Sequence, residues 1–472
     1  MKKLLLASSV LSLLGTAAHA QTPPSFRAGA AKVDITPDAA VLRPGDSIRD
    51  RLYVRAIVVG NGASCAVLVG IDQAGLRGAS ADSAIERASK ATGCAPGNFV
   101  ISATHTHSGM THGFGDPRGE PKAKRVEDAI VAAVTEANKR LRPVRVGYGT
   151  TPLDINVNRD IFTAGQWLQG PNVDGASDKS VAVIEFIGAD DKPIAAYINY
   201  AMHPINFYLS GVISADVPGE ASRYVERQYG PDMVAVFAQG ASGNQNPYLV
   251  GPLFNLIANR TAGPDRNDMG VNHTPPWVQI ARERNGNNRL NSALAQPVPA
   301  DQVAGYKAAI DTTSELVKAE GVLMGAKVVN AMRFGITGLA SGGSIAGVGV
   351  NFQCPGRDRL DRDDPVREGS LPPYADGAPV NIKEGMLRIG DIYIATINGE
   401  VYNEISTRLK REAPTSRLMM TTLANGMANS GYIYSNDASG HLTFQVIGSR
   451  LKPGCAEDKI VGTGLDLIQQ VK

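Results

Sequence analysis

Strand-length apolar runs alternate with helical patterns along most of this chain, and that alternation admits few architectures. The runs are 53–59 (YVRAIVV), 64–71 (SCAVLVGI), 98–103 (NFVISA), 180–187, 193–200, 233–238 (MVAVFA) and 390–397 (GDIYIATI). Helical patterns fall at 81–92, 122–141, 219–229, 301–319 and 400–411, several with Lys or Arg toward the C-terminal end, where the helix dipole favours them. Continuous apolar strands separated by helices predict an α/β fold, with a mixed, largely buried β-sheet flanked by helices and a site at the strand ends. Two segments break the pattern. Residues 251–299 are rich in Asn, Arg, Gly and Pro, and residues 351–386 contain RDRLDRDDPVREG and SLPPYADGAP. Both read as long loop insertions. Neither has the composition of an independent unit, so 21–472 are expected to form a single domain.

Residues 1–20, MKKLLLASSVLSLLGTAAHA, have the basic start, apolar run and small-residue ending of a secretory signal peptide, and the run is too short for a membrane span. Cleavage near Ala20 predicts a periplasmic or secreted protein, and the absence of Cys just beyond it gives no stable membrane anchor. Of 47 basic side chains against 45 acidic, Lys2 and Lys3 leave with that segment. The remainder is neutral, which excludes a nucleic-acid partner or a polybasic membrane contact. The four cysteines, Cys65, Cys94, Cys354 and Cys455, suit two disulfides in an exported chain. Cys65–Cys94 with Cys354–Cys455 closes the smallest loops, although sequence alone permits three pairings.

Chemistry concentrates where strands end. The run 98–103 leads straight into Thr104-His105-Thr106-His107-Ser108-Gly109. If the backbone stays extended, His105 and His107 face one side. Such a pair serves either as metal ligands or as acid–base and hydrogen-bonding groups; His112 is less well placed. His203 ends the strand at 193–200, and Glu400 follows the strand at 390–397, with Glu404 one turn later as the rival acid. Two imidazoles and a carboxylate make a plausible zinc site with an open position.

In order along the chain, FRAGAAKVDITP (26–37), RLYVRAIVV (51–59), AVLVGID (66–72), ISATHTHSG (101–109), INVNRD (155–160), NYAMHPINF (199–207), VAVFAQGASGNQNP (234–247), NGE (398–400) and SGYIY (430–434) resemble the neutral/alkaline non-lysosomal ceramidases, which are secreted zinc amidases. The resemblance spans that family's catalytic domain and stops before its immunoglobulin-like C-terminal domain. It implies one Zn2+ per chain, held by His105, His203, Glu400 and Tyr432. It also implies His107 as acid–base group and Arg159 in the active site beside Tyr432. Asp72 and Asp216 are candidates for orienting a ligand imidazole. The implied reaction is hydrolysis of an N-acyl amide, small-molecule or lipid, to a carboxylic acid and an amine such as a sphingoid base.

Three departures from the family bear on substrate. Gly243-Asn244-Gln245-Asn246-Pro247-Tyr248 replaces a hexapeptide with an acid and a Ser, so a Ser nucleophile at 246 is excluded while Asn246 keeps a substrate-binding role. Arg49, the other substrate-binding candidate, stands where the family has a His. Met110-Thr111-His112 replaces a Pro-Gly-Gly rim. With polar insertions, these shift the expected substrate toward a more polar amide. The rival readings are a metal-independent serine hydrolase using Ser242, which lacks nucleophile-elbow spacing, and a non-catalytic binding protein on the same fold.

Overall fold

The computed structural model describes residues 25–42, 46–109, 119–208, 210–253, 301, 303–361 and 368–472. The segment 1–20 expected to be a signal peptide, His112 and nearly all of the 251–299 insertion lie outside the described residues.

Eight strands, β1 (Arg27–Asp34), β2 (Tyr53–Gly60), β3 (Cys65–Ile71), β4 (Phe99–Ala103), β5 (Arg142–Pro152), β6 (Ser180–Gly188), β7 (Pro193–Tyr200) and β8 (Val234–Gln239), run in the order β8-β7-β6-β5-β1-β2-β3-β4, and β9 (Thr337–Ala340) pairs with β5 to complete a nine-stranded sheet. The pairs β3–β4 and β7–β8 are parallel. Parallel neighbours need a crossover, and each has a helical one: α1 (Gly78–Thr92) before β4 and α3 (Asp216–Tyr229) before β8. α2 (Gly119–Lys139) and α4 (Val303–Asn330) complete the helical layer. α2 buries Ala129, Ile130, Ala133, Val134 and Ala137, the spacing of one apolar helix face.

The strands read as apolar throughout because both faces of the sheet are covered. On β2, Val54, Ala56 and Val58 face the helices, whereas Ile57 and Val59 face a second sheet. That sheet has the order β10 (Ile345–Arg359), β11 (Tyr374–Ile389), β12 (Ile392–Ile397), β13 (Leu418–Thr421). Its far side packs on α5 (Asn403–Glu412) and α6 (Ala456–Gln470). The layers are therefore helix, sheet, sheet, helix. The sheet core flanked by helices is as the sequence predicts, and the second sheet is the addition.

That addition corrects the reading of 351–386. Most of this segment belongs to β10 and β11, an antiparallel hairpin paired over nearly its whole length. Its residues alternate between buried and exposed instead of forming an apolar run, and the charged residues 357–361 lie at the turn end. Both disulfides form with the smallest-loop pairing: Cys65–Cys94 joins β3 to the segment after α1, and Cys354–Cys455 joins β10 to the start of α6.

Candidate metal centre

The centre forms where segments leaving both sheets meet. His105 follows β4, His203 follows β7, and Glu400 follows β12. Gly243 allows the close approach between them: a Cβ there would lie 2.8 Å from the Val401 carbonyl and 2.9 Å from that of Glu400. Glu400 and Tyr432 are direct neighbours in a short parallel ladder.

His105 and His107 converge for a different reason than strand alternation. β4 ends at Ala103, and His105 has φ +67°, in the left-handed region. The His105 N–H donates to the Gln73 carbonyl at 2.9 Å and that of His107 to the Pro204 carbonyl at 3.2 Å. A turn thus brings both rings inward, with centroids 4.6 Å apart. A β-carbon in this region costs on the order of 1–3 kcal/mol, strain characteristic of sites held by their surroundings.

His105 Nε2 lies 3.2 Å and His203 Nε2 3.3 Å from the same oxygen, Glu400 Oε2. His107 Nε2 is 3.3 Å from His105 Nε2. The other nitrogens face backbone carbonyls: His105 Nδ1 is 2.5 Å from Ala74 O, and His203 Nδ1 3.1 Å from Gln245 O. A carbonyl only accepts, so each neutral ring carries its proton on Nδ1 and points a lone pair from Nε2. Burial, reinforced by the Arg159 charge, pulls His203 down to about 4. Burial, with His105 and His203 beside it, holds His107 well below the usual imidazole range. Lone pairs on nitrogen thus confront a carboxylate oxygen. A borderline divalent cation resolves that mismatch, and the donor set fits one.

Tyr432 and Arg159 border the cluster. The Tyr432 ring is 6.3 Å from that of His203, and Arg159 Cζ is 5.2 Å from the Tyr432 ring. Arg159 Nη1 donates to Asn246 Oδ1 at 3.2 Å and Nη2 to the Gly243 carbonyl at 2.6 Å. Asn246 is therefore joined to Arg159. Glu404 turns away, taking both its hydrogen bonds from Asn244 Nδ2 at 2.9 Å, which leaves Glu400 as the acid facing the imidazoles.

Three sequence candidates sit elsewhere. Asp72 accepts from Arg55 Nη1 and the Tyr53 N–H, and Asp216 accepts from Asn206 and the Val217 N–H. The backbone carbonyls of Ala74 and Gln245 occupy the ring positions assigned to these acids. Arg49 bonds Asp50 and the Ser314 carbonyl on α4. Ser242, the rival nucleophile, is buried and takes a 2.6 Å hydrogen bond from Gln239 Nε2. Tyr208, whose ring lies 5.2 Å from that of His107, escapes sequence reasoning; nothing in its local pattern marks it.

The neutral/alkaline non-lysosomal ceramidase N-terminal family matches residues 29–262. The neutral ceramidase of Pseudomonas aeruginosa is 30% identical over an alignment of 281 residues that covers 52% of this chain and 40% of that protein; the match thus spans less than half the relative's length. The crystal structure of neutral ceramidase from Pseudomonas aeruginosa superposes with a TM-score of 0.67 at 18% identity, over 95% of this chain and 75% of that one. A ceramidase complexed with C2 gives 0.66 at 17% identity, over 95% and 76%. At such identities the likeness of structure is one of fold. Together with the sequence matches, these findings place the chain in the neutral/alkaline non-lysosomal ceramidase family.

Proposed function

We propose that the protein is a zinc-dependent hydrolase of N-acyl amides, acting on ceramide or a more polar relative in the periplasm or outside the cell. The observation that carries this reading is the meeting of two imidazole lone pairs with Glu400 Oε2. Two disulfides suit an oxidising compartment. Among the described residues no helix is long and apolar enough to cross a membrane.

His105, His203, Glu400 and Tyr432 would hold the metal. Zinc so held supplies Lewis acidity toward a carbonyl and acidifies water to a pKa of about 7. The protein's own groups do the rest. Arg159, buried and permanently charged, faces the Tyr432 ring, and its Nε has no hydrogen-bond partner among the described residues. It is a fixed donor for the negative charge that develops on the amide oxygen. Asn246, held by Arg159, offers its amide to the substrate's polar end. His107 stays neutral at pH 7 and half-buried, so it can accept a proton and return it to the departing amine.

The test is an amide panel running from ceramides through N-acyl amino acids to short polar amides. It uses protein stripped by chelator and then reloaded with zinc. Loss on stripping and recovery on reloading is expected for at least one member. Turnover that survives complete stripping would instead favour a Ser242 hydrolase, and no turnover with any member would favour a binding protein.

A further inference from the structure

Arg159, Glu400 and Tyr432 stand on three separate segments; a two-residue ladder joins Glu400 to Tyr432, and Arg159 meets the Tyr432 ring. One buried carboxylate touches every segment. Asp160 follows Arg159 and is 2% exposed. Its Oδ2 accepts from Tyr402 Oη at 3.1 Å and pairs with His441 Nδ1 at 3.0 Å. Tyr402 is two residues past Glu400, and His441 is nine past Tyr432. Asp160 lies on a hairpin of the strands Asn156–Thr163 and Gln166–Asn172, and the His441 ring also stacks on Trp167 of that hairpin, with centroids 3.7 Å apart and planes 18° from parallel. Nearby, Glu368 links the same two regions by accepting from Gln169 on the hairpin and from the Phe444 N–H. Among the described residues Asp160 Oδ1 is buried without a partner, a cost that a purely structural contact gives no reason to retain.

We infer that Asp160 is a positioning residue for the reaction: by gathering Tyr402 and His441 on one oxygen, it fixes Arg159 relative to Glu400 and Tyr432. The inference rests on the amidase reading for its link to turnover, but its metal-binding readout does not. Both donors converge on Oδ2, so an amide that presents its oxygen there keeps both bonds. Asp160→Asn should therefore recover most function, whereas Asp160→Leu fills the space and loses both contacts. Tyr402→Phe and His441→Phe each remove one donor, the latter keeping a ring against Trp167, and they serve if Asp160→Leu fails to fold.

The experiment measures zinc affinity by competition with a chromophoric chelator, and kcat and KM separately, on full-length variants matched in circular dichroism and urea midpoint. Asp160→Leu is expected to lose about 10-fold in zinc affinity and about 10-fold or more in kcat, with KM moving less, since supporting contacts of this kind are worth about 10–100-fold. Tyr402→Phe and His441→Phe are expected to fall in between, and Asp160→Asn to lie within about threefold of the parent. Folded Asp160→Leu, or the two Phe variants, with parental affinity and kcat would overturn the inference. So would Asp160→Asn as damaged as Asp160→Leu. A parent that binds zinc yet turns over no amide would reject the amidase reading alone, leaving the affinity comparison to decide about Asp160.

Discussion

Two buried charged clusters solve the same problem in opposite ways. In one, Arg55 reaches both Asp72 Oδ2 at 3.0 Å and Glu226 Oε1 at 2.9 Å, while Lys32 takes Glu226 Oε2 at 2.6 Å. Positive donors meet negative acceptors there, and among the described residues Arg55 Nη2 is buried without a partner. In the other, His105 and His203 direct lone pairs at Glu400, acceptor against acceptor. The first cluster is complete as a brace. On the proposed reading a cation completes the second, and this difference separates a functional site from a structural one more sharply than burial does, since both are buried.

The largest effects should come from breaking the second cluster. Glu400→Ala or His105→Ala is expected to lose bound zinc and more than about 100-fold in kcat/KM, read by elemental analysis and steady-state kinetics. The metal-free protein should keep its urea midpoint or gain slightly, because one of two opposed acceptors is gone. Full turnover by either variant would overturn the ligand assignment.

The first cluster should respond the other way. Arg55→Met leaves Asp72 without its cation and Glu226 with Lys32 alone, at a cost of about 3–5 kcal/mol. Replacing Arg55, Asp72 and Glu226 together by apolar or amide residues should recover most of that. Folded Arg55→Met should keep its zinc. Denaturant midpoints set beside metal content check this separation, and zinc loss by the folded variant would show that the clusters are coupled.

Much of this contrast is legible in the sequence, though unevenly. All seven apolar runs become strands because each is buried on both faces, which imposes a continuous pattern. Strands β10 and β11 were hidden, because their half-exposed alternation with charges resembles loop composition. His105, His203 and Glu400 could be found because a polar residue just past a buried strand is unusual. Tyr432 emerged only through the family resemblance, since a Tyr in a short strand has an ordinary packing role. Asp72 and Asp216 drew attention as acids near ligand segments, yet their partners, Arg55 and Asn206, are set by tertiary contacts that spacing does not encode. For the same reason no local pattern announces that Asp160, Tyr402 and His441 meet.

A third buried carboxylate sharpens the comparison, because it has neither solution. Glu384 on β11 is fully buried, and both oxygens lack a partner among the described residues. It packs where α6 passes at Gly464, whose absent Cβ would sit 3.0 Å from Glu384 Oε1. With no donor and no cation, burial raises its carboxyl well above the ordinary 4.5, and the group folds in its neutral form. The folded state then holds a proton that the unfolded chain releases. This stabilisation is fully present below about pH 4.5 and is lost as pH rises toward the elevated folded value, at about 1.4 kcal/mol per pH unit. Glu384→Gln keeps the shape and cannot ionise, so its urea midpoint should lack that fall, exceeding the parent near pH 8 with little difference near pH 4.5. Glu384→Met, which also removes the unpartnered oxygens, should be at least as stable near pH 8. Parallel pH–stability curves for parent and Glu384→Gln would mean that Glu384 acquires a partner in solution and belongs with the Arg55 cluster after all.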